Sequence, residues 1–386
     1  MNYDPILLLA LLALHVAVTE WLVQNTPLSY IGTALLVIVL TAVSANLGLV
    51  PTYSDDNVVY QGIFTYIAPL GVFLLLLQVR LKEILKSGRS MLILFSIGCA
   101  GTFVGALAGM GVVNGSRAFG EHHAALAGMF VGTYTGGSVN YNAVALHYGI
   151  VKEGTLYAGA TAVDSLMTTF WMAGTLLAPK VLRRLSRGRG AAAHSTTSAP
   201  VDPSNLDAET VRPAELGWLI FLAAGCLAGS EWVSAACERS FGIPVPSILI
   251  LTTAALILAQ VRPVQGLRGA NALGMFTVYL FLAVIGALCD LGALDEIGKL
   301  GVSIALFAAI LITVHAIFVF GLALWLRADP DVAAVASQAN IGGGTSALAL
   351  ARSLGRNDLT VPAILVGALG NALGTYLGFL TVRMLS

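Results

Sequence analysis

Charged side chains are scarce in this chain: Asp, Glu, Lys and Arg make up only 10% of its 386 residues. The formal net charge is zero and no basic cluster alternates with aromatic residues, which argues against nucleic acid as a partner. The sequence also lacks a phosphate-binding glycine loop and any nucleophile with a base at usable spacing. We therefore do not expect an enzyme.

Metal-binding patterns are missing as well. The four cysteines show neither CxxC spacing nor a neighbouring histidine cluster; they are Cys99, Cys226, Cys237 and Cys289. All four lie in or at the ends of apolar runs, where packing is their expected role. His15, His147 and His315 are isolated, and no metal site is expected from them. The sequence thus predicts no cofactor.

Hydrophobic residues, by contrast, make up 57% of the chain, so lipid must be its main solvent. A bilayer core of about 30 Å requires about 20 apolar residues per helix. We predict ten spans from the apolar runs, which cover residues 5–23, 28–50, 62–79, 91–113, 154–182, 214–236, 248–261, 270–289, 302–326 and 359–385. The first run has no basic leader and no cleavage site, so we expect it to be retained as a span.

The chain resembles itself at an offset of a little over 200 residues. The matching pairs, in the same order in both halves, are Glu20-Trp21 with Glu231-Trp232, Gly62 to Thr65 with Gly274 to Thr277, Gly136-Gly137 with Gly342-Gly343, and Asp164 with Asn371. We therefore predict two repeats, residues 1–185 and 214–386. The polar stretch 186–213, rich in Ala, Ser, Thr and Pro, is predicted to be a cytoplasmic linker.

Each repeat also contains a segment, 122–150 or 330–354, in which a glycine-rich centre separates two short apolar arms. Paired glycines weaken a helix, so each segment is predicted to form two half-helices that meet at an unwound tip. The second half-helices should begin near Ser138 and Thr345. An arm of about 13 residues extends about 20 Å at about 1.5 Å per residue, enough to reach the membrane interior and return.

The distribution of basic residues favours re-entrant hairpins for these two segments. With two hairpins, the 20 Lys and Arg residues divide 15 to 5 between the two sides, whereas full crossings divide them 11 to 9. The first division obeys the positive-inside rule. Five spans and one hairpin per repeat invert the second repeat relative to the first, an architecture typical of transporters. A rival interpretation keeps both broken segments as full crossings.

Polar side chains gather at the two tips. Together with the glycines they form a predicted substrate site, comprising Thr135, Gly136, Gly137, Ser138, Asn140, Asn142, Asn340, Gly342, Gly343, Gly344, Thr345 and Ser346. Hydroxyl, amide and freed carbonyl oxygens suit a weakly held cation such as sodium, and the helix N-termini suit an anionic group. Alternatively, the glycines serve only close helix packing.

Asp164 lies near the predicted bilayer centre with no Lys or Arg close by in the sequence. A carboxylate there costs about 2.5–3.5 kcal/mol on insertion scales and needs a partner, which a cation or a proton would supply. We predict that Asp164 binds sodium or a proton, with Asn371 and Gln338 as further ion-coupling residues. The alternative is a protonated Asp164 that only bonds between helices.

The stretches GTYTGGSVN (132–140) and ANIGGGTSALALA (339–351) resemble the YjcL-like bacterial membrane proteins. That family in turn resembles the cation/proton antiporter and anion transporter superfamily, and the layout is similar to that of the sodium-coupled glutamate and citrate symporters. In those symporters both tips read Gly-Gly-x-Gly, whereas here the last position is Val139 or Thr345. The antiporters place an Asp where Asp164 stands, but their preceding Asp or Asn is Val163 here.

The resemblance implies an all-α multi-pass protein of the bacterial cytoplasmic (inner) membrane. Our leading hypothesis is a symporter that couples inward sodium or proton movement to uptake of a small, anionic organic solute. The alternatives are a cation/proton antiporter without organic substrate and a structural or regulatory membrane protein. The oligomeric state stays open, with a homodimer suggested only by analogy.

Overall fold

The computed structural model describes residues 4–30, 33–51, 57–81, 85–185, 211–241, 245–289 and 294–386. All regular secondary structure in these ranges is helical. The longer helices are α1 (Pro5–Asn25), α2 (Thr33–Asn46), α3 (Val58–Leu76), α4 (Arg89–Val112), α5 (His123–Gly136), α6 (Ser138–His147), α7 (Gly154–Leu185), α8 (Pro213–Phe241), α9 (Ser247–Leu258), α10 (Ala270–Leu288), α11 (Leu294–Trp325), α12 (Pro330–Ile341), α13 (Gly343–Ser353) and α14 (Thr360–Leu385). Most of the predicted linker, 186–210, lies outside the described residues.

Seven helices in the described part of the chain are long and apolar enough to cross a membrane: α1, α3, α4, α8, α10, α11 and α14. The three other predicted spans are helices of a different kind. α2 and α9 are apolar but have only 14 and 12 residues. A 3₁₀ turn at Pro27–Tyr30 precedes α2, and α9 begins directly after Pro246. α7 has 32 residues but is more polar than the seven.

α4 and α11 cross in direct backbone contact. A Cβ atom added at Gly105 would lie 2.7 Å from the Leu311 carbonyl oxygen, and one at Gly109 would lie 2.9 Å from the Phe307 ring. The contacting residue number falls along α11 as it rises along α4, so the two helices are antiparallel. Only glycine permits so close an approach.

α3 and α10 form a second antiparallel pair. A Cβ at Gly71 would lie 2.6 Å from Thr277 Oγ1, and one at Gly274 would lie 2.9 Å from Leu75 Cγ. Further along, the rings of Phe64 and Phe281 meet edge to face with centroids 5.8 Å apart. α1 and α2 pack on one side of this pair, and α8 and α9 pack on the other.

Candidate functional site

The first glycine-rich segment is a hairpin of two helices. α5 ends at Gly136 and α6 begins at Ser138, with Gly137 between them at φ +118°. The arms fold back on each other, because a Cβ at Gly132 would lie 3.1 Å from the Asn140 carbonyl carbon. The predicted break therefore falls at the paired glycines, and the second arm begins where the sequence predicted.

The second segment repeats this geometry. Gly343 has φ +75°, and α13 begins at Gly343, two residues before the predicted start near Thr345. Gln338 Nε2 on α12 donates to Ser346 Oγ on α13 at 3.1 Å, which ties the two arms together. Ser346 Oγ in turn donates to the Gly343 carbonyl at 3.0 Å. Both segments are thus antiparallel helical hairpins whose tips contain a left-handed glycine.

The two tips meet against α14. A Cβ at Gly136 would lie 1.9 Å from the Gly370 carbonyl carbon, and one at Gly367 would lie 2.3 Å from Gly344 Cα. The tips also approach each other, since a Cβ at Gly343 would lie 3.6 Å from the Gly136 carbonyl oxygen. Glycine is required at these contacts because backbone, rather than a movable side chain, occupies the space.

Helix α7 passes both hairpins and contacts each by hydrogen bonds. In its first half, Thr161 Oγ1 shares a 3.4 Å hydrogen bond with the Tyr141 hydroxyl, and the Tyr157 hydroxyl donates to Asn142 Oδ1. In its second half, Thr175 Oγ1 donates to Gln338 Oε1 at 3.0 Å. α7 is therefore placed to respond to either tip.

Asp164 lies on α7 between these two sets of contacts. It is surrounded by protein and interacts electrostatically with Tyr134, which precedes the first tip. The two groups lie close to each other, but their geometry falls short of a hydrogen bond, and Asp164 Oδ1 and the Tyr134 hydroxyl are both buried with no other partner. The Thr135 hydroxyl and the Trp171 indole nitrogen share this condition. Unpartnered buried polar atoms are rare, and each costs about 1–3 kcal/mol. The Tyr134 hydroxyl and Asp164 Oδ1, which interact with each other beside the first tip, therefore mark a candidate binding site.

The predicted substrate residues divide into open and enclosed ones. Ser138 and Thr345, each in the first turn of the second arm of its hairpin, are exposed although their surroundings are mostly buried. Gly137 is partly exposed and faces Asn371, whose Oδ1 would lie 3.6 Å from a Cβ added there. These positions border the junction of the tips and are accessible from outside the helix packing.

The predicted asparagines are enclosed, and their amides are engaged by the protein. Asn140 Oδ1 accepts from the Thr375 amide at 3.1 Å and from its hydroxyl at 2.8 Å, which fixes the first hairpin to α14. Asn142 accepts from Tyr157. The Asn340 amide nitrogen donates to the Phe95 carbonyl at 3.2 Å and to the Ala336 carbonyl at 3.3 Å, and its oxygen faces the Cys99 thiol. In this conformation the three side chains hold helices together rather than face the tips.

Sequence reasoning missed a buried polar group at the crossing of α4 and α11. His315 was predicted to be isolated, yet its two ring nitrogens lie within 3.1 Å of Thr102 Oγ1 and 2.9 Å of Ser337 Oγ. Tyr134 and Trp171 were also missed. His315 and Thr102 are distant in sequence. Only the repeat offset, which pairs the middle of α4 with the middle of α11, could have indicated that these two helices meet here.

An ion-pair network closes the base of the second hairpin. Arg356 donates to Asp329 at 2.7 Å, to Asp331 at 3.0 Å and to Asp358 at 2.8 Å. Arg183, in the last turn of α7, donates to Asp331 at 2.6 Å. Hydrogen bonding to Asp358 first, and then to the other two carboxylates, raises the pKa of Arg356 above its usual value. The network joins both arms of the hairpin to α7.

These features define an α-helical membrane protein with a polar centre at two glycine-broken hairpins. The chain belongs to the family described as "Protein of unknown function (DUF819)", whose signature matches residues 7–386. It is 26% identical over 364 residues to the "Uncharacterized membrane protein YjcL" of Bacillus subtilis (strain 168), covering 91% of this chain and 89% of that protein. The predicted YjcL-like family is therefore confirmed.

Proposed function

We propose that this protein is a secondary active transporter of the bacterial cytoplasmic membrane that couples sodium or proton movement to the transport of a small, anionic organic solute. The observation that carries the proposal is the group of unpartnered buried polar atoms beside the first tip: the Tyr134 hydroxyl, the Thr135 hydroxyl and Asp164 Oδ1. A protein that keeps such atoms in its interior gains from a ligand that pairs with them.

The chemistry of this group suits a coupling ion. Asp164 provides a carboxylate and Thr135 a hydroxyl, both hard oxygen ligands of the kind that sodium prefers. A proton on Asp164 would serve equally, because the protonated carboxyl can donate to Tyr134 or Thr135. In both cases the charge of Asp164 is neutralised before the site moves, which lowers the cost of holding it in a low-dielectric interior.

The anionic solute would bind at the start of the second arms. α6 and α13 have 10 and 11 residues, and their N-termini lie at the two tips. The first amides of a helix lack partners within it and carry the positive end of its dipole, so they favour an anion. Exposed Ser138 and Thr345 add a hydroxyl at each tip. Asn371 and Gln338 belong to the walls of the same site.

Re-entrant hairpins and inverted repeats complete the proposal. The hairpin interpretation is supported by the contacts between arms, Gly132 with Asn140 and Gln338 with Ser346. Inversion is supported by the antiparallel packing of equivalent helices, α3 with α10 and α4 with α11, since repeats of equal orientation would make these pairs parallel. Transporters of this architecture bind substrate where the broken helices meet.

Alternating access would arise from movement of the hairpins, α7 and α14 against a scaffold of α1, α2, α8 and α9. The first group is connected internally by hydrogen bonds, such as Asn140 with Thr375 and Thr175 with Gln338. The scaffold helices pack mainly on α3 and α10. Closure over the solute would exclude water and strengthen the interaction between ion and carboxylate.

A second candidate is a cation/proton antiporter without organic substrate. Asp164 favours it, because one buried carboxylate without a basic partner can exchange a proton for a metal ion. Proteoliposomes loaded with a pH-sensitive dye separate the two functions. Sodium-driven proton movement without solute supports exchange, whereas sodium flux that requires an added carboxylate solute supports symport. If neither occurs, both proposals are refuted.

A further inference from the structure

One hydrogen-bonded pair lies where α4 crosses α11. His315 is fully buried on α11, and its Nδ1 lies 3.1 Å from Thr102 Oγ1 and 3.0 Å from the Gly98 carbonyl oxygen on α4. A carbonyl only accepts, so these partners assign the ring hydrogen to Nδ1 and leave Nε2 as an acceptor. A neutral histidine therefore satisfies every partner at this crossing.

Thr102 connects this pair to the first hairpin. Because α5 ends at Gly136, the Tyr134 carbonyl is one of the last four in its helix and lacks a helical partner. Thr102 Oγ1 lies 3.1 Å from that carbonyl oxygen and 2.9 Å from the Gly98 carbonyl, so its one hydrogen can be donated to either. Tyr134 is also the residue that faces Asp164. The contact thus reaches the tip beside the proposed ion site.

His315 connects the pair to the second hairpin. Ser337 on α12 is fully buried, and its hydroxyl lies 2.9 Å from His315 Nε2. The Trp171 ring packs edge to face on the imidazole with centroids 5.9 Å apart. Trp171 lies seven residues, about two helical turns, after Asp164 and therefore on the same face of α7. The imidazole thus contacts the second hairpin and the helix that carries the carboxylate.

The surroundings leave this pair little freedom. A Cβ at Gly98 would lie 2.9 Å from His315 Cε1, and one at Gly101 would lie 3.1 Å from His315 Cα. Close-packed contacts of this kind do not deform continuously; they either stay or rearrange as a unit. A displacement of one hairpin must then be carried through the pair or break it.

We propose that Thr102 and His315 are positioning residues that couple the two hairpins, so that displacement of one tip is transmitted to the other. The inference deepens the proposed function and rests on it for its use in transport, since an ion bound beside the first tip would thereby change the solute-binding surface at the second. The coupling itself is a property of the packing and is measurable without any ligand.

The test uses full-length protein in proteoliposomes with one cysteine at an exposed tip position, Ser138→Cys or Thr345→Cys. Cys226 and Cys237, which are partly exposed, are replaced by serine, whereas Cys99 and Cys289 are buried and stay. The measured quantity is the rate of alkylation by a maleimide.

Two substitutions remove one contact each from the pair. Thr102→Val removes the hydrogen bond to the first hairpin, and we expect it to change the alkylation rate of Thr345→Cys, on the second hairpin, about fivefold or more. Ser337→Ala should change the rate at Ser138→Cys to a similar extent. The matched control is Thr313→Val on α11, because that hydroxyl is exposed and donates only to Ala309 of its own helix. It should change neither rate.

Two variants of the histidine separate coupling from local support. Asparagine mimics Nδ1 and retains the contact with α4, whereas glutamine mimics Nε2 and retains the contact with Ser337. In His315→Asn and in His315→Gln, adding Thr102→Val should no longer alter the rate at Thr345→Cys, because coupling requires both contacts. A merely supporting histidine would leave that crossed effect unchanged.

The proposal would be overturned if, without a substitution at His315, Thr102→Val left the alkylation rate of Thr345→Cys unchanged and Ser337→Ala left that of Ser138→Cys unchanged. Each substitution would then affect only the hairpin that it contacts. Sodium added at equal concentration on both sides tests the proposed function separately. If sodium changes neither alkylation rate while the crossed effects persist, ion coupling fails and the positioning role of Thr102 and His315 stands.

Discussion

The contact of the first tip with α14 makes a sharp prediction for Gly370→Ala. The added Cβ would lie 2.3 Å from the Thr135 carbonyl oxygen and 2.6 Å from Gly136 Cα. Ordinary van der Waals contact begins at 3.4 Å, so the tip must retreat by 3.4 − 2.3 = 1.1 Å. Both sides of the contact are backbone, which means that no side-chain rotation can relieve it.

The expected magnitude follows from two opposing terms. Overpacking costs about 1–3 kcal/mol, and a backbone clash belongs at the upper end. Replacing glycine by alanine within a helix returns about 1 kcal/mol, so Gly370→Ala should lower the free energy of unfolding by about 2 kcal/mol. Oxygen ligands bind a hard cation at about 2.3–2.6 Å. The main chain of Thr135 must therefore move relative to α14, and because ion ligands tolerate little displacement, ion-dependent transport should fall about tenfold or more.

The assay compares Gly370→Ala with a matched control by thermal unfolding in detergent and by ion-coupled transport in proteoliposomes. Transport is measured both as sodium flux that requires an added carboxylate solute and as sodium-driven proton movement. Gly225→Ala on α8 is that control, because nothing lies within 4 Å of its added Cβ. It carries the same helix-propensity gain without the clash, so it should be about 1 kcal/mol more stable than the wild type and should transport like it. If Gly370→Ala behaves as the control does, the tip does not press against α14 and the geometry of the site is wrong.

Three further substitutions test the site and its supports. Asp164→Asn should abolish the ion dependence of transport and reduce its rate about tenfold or more, because the amide can neither bind a proton nor neutralise a cation. If the ion dependence measured with the pH dye is unchanged, the Asp164 carboxylate has no role in ion coupling. Thr175→Val should destabilise the protein by about 1 kcal/mol in thermal unfolding by breaking a bond to the second hairpin, whereas Thr169→Val, at an exposed hydroxyl that donates only within α7, should not. Arg356→Gln should cost about 1–3 kcal/mol because buried Asp331 loses a partner, and Arg268→Gln at the exposed surface should cost less than about 0.5 kcal/mol.

The helices were predictable where one local feature decides the structure. Paired glycines set the breaks, and α6 begins at Ser138 as expected. The second break was placed two residues late because three consecutive glycines offer several starting points, and tertiary contacts choose Gly343. Span lengths were less predictable: the apolar run 28–50 extends through most of the 3₁₀ turn Pro27–Tyr30 and through Gly48, where the backbone leaves the helix.

Sequence reasoning places a candidate site at the two tips and at Asp164, which stays a prediction, but it does not define the role of each side chain. Asp164 and Thr135 each have a buried oxygen without a hydrogen-bond partner. Asn140 and Asn340 were expected at the tips, but a helical residue can point to any side, and their partners Thr375 and Cys99 are more than 230 residues away. Side-chain direction depends on packing that sequence spacing does not define.

The two hairpins, although related by the repeat, differ in how their polar groups are satisfied. Gln338 bonds to both Thr175 and Ser346, so the second hairpin is held in place. Near the first, Thr135 and Asp164 each keep an unpartnered oxygen, and the equivalent of Asp164 in the second repeat is the neutral Asn371. Packing alone gives no reason to retain a carboxylate on one side, because an amide serves the other. The asymmetry therefore favours an ion that binds beside the first tip, while the second hairpin stays fixed by its own hydrogen bonds.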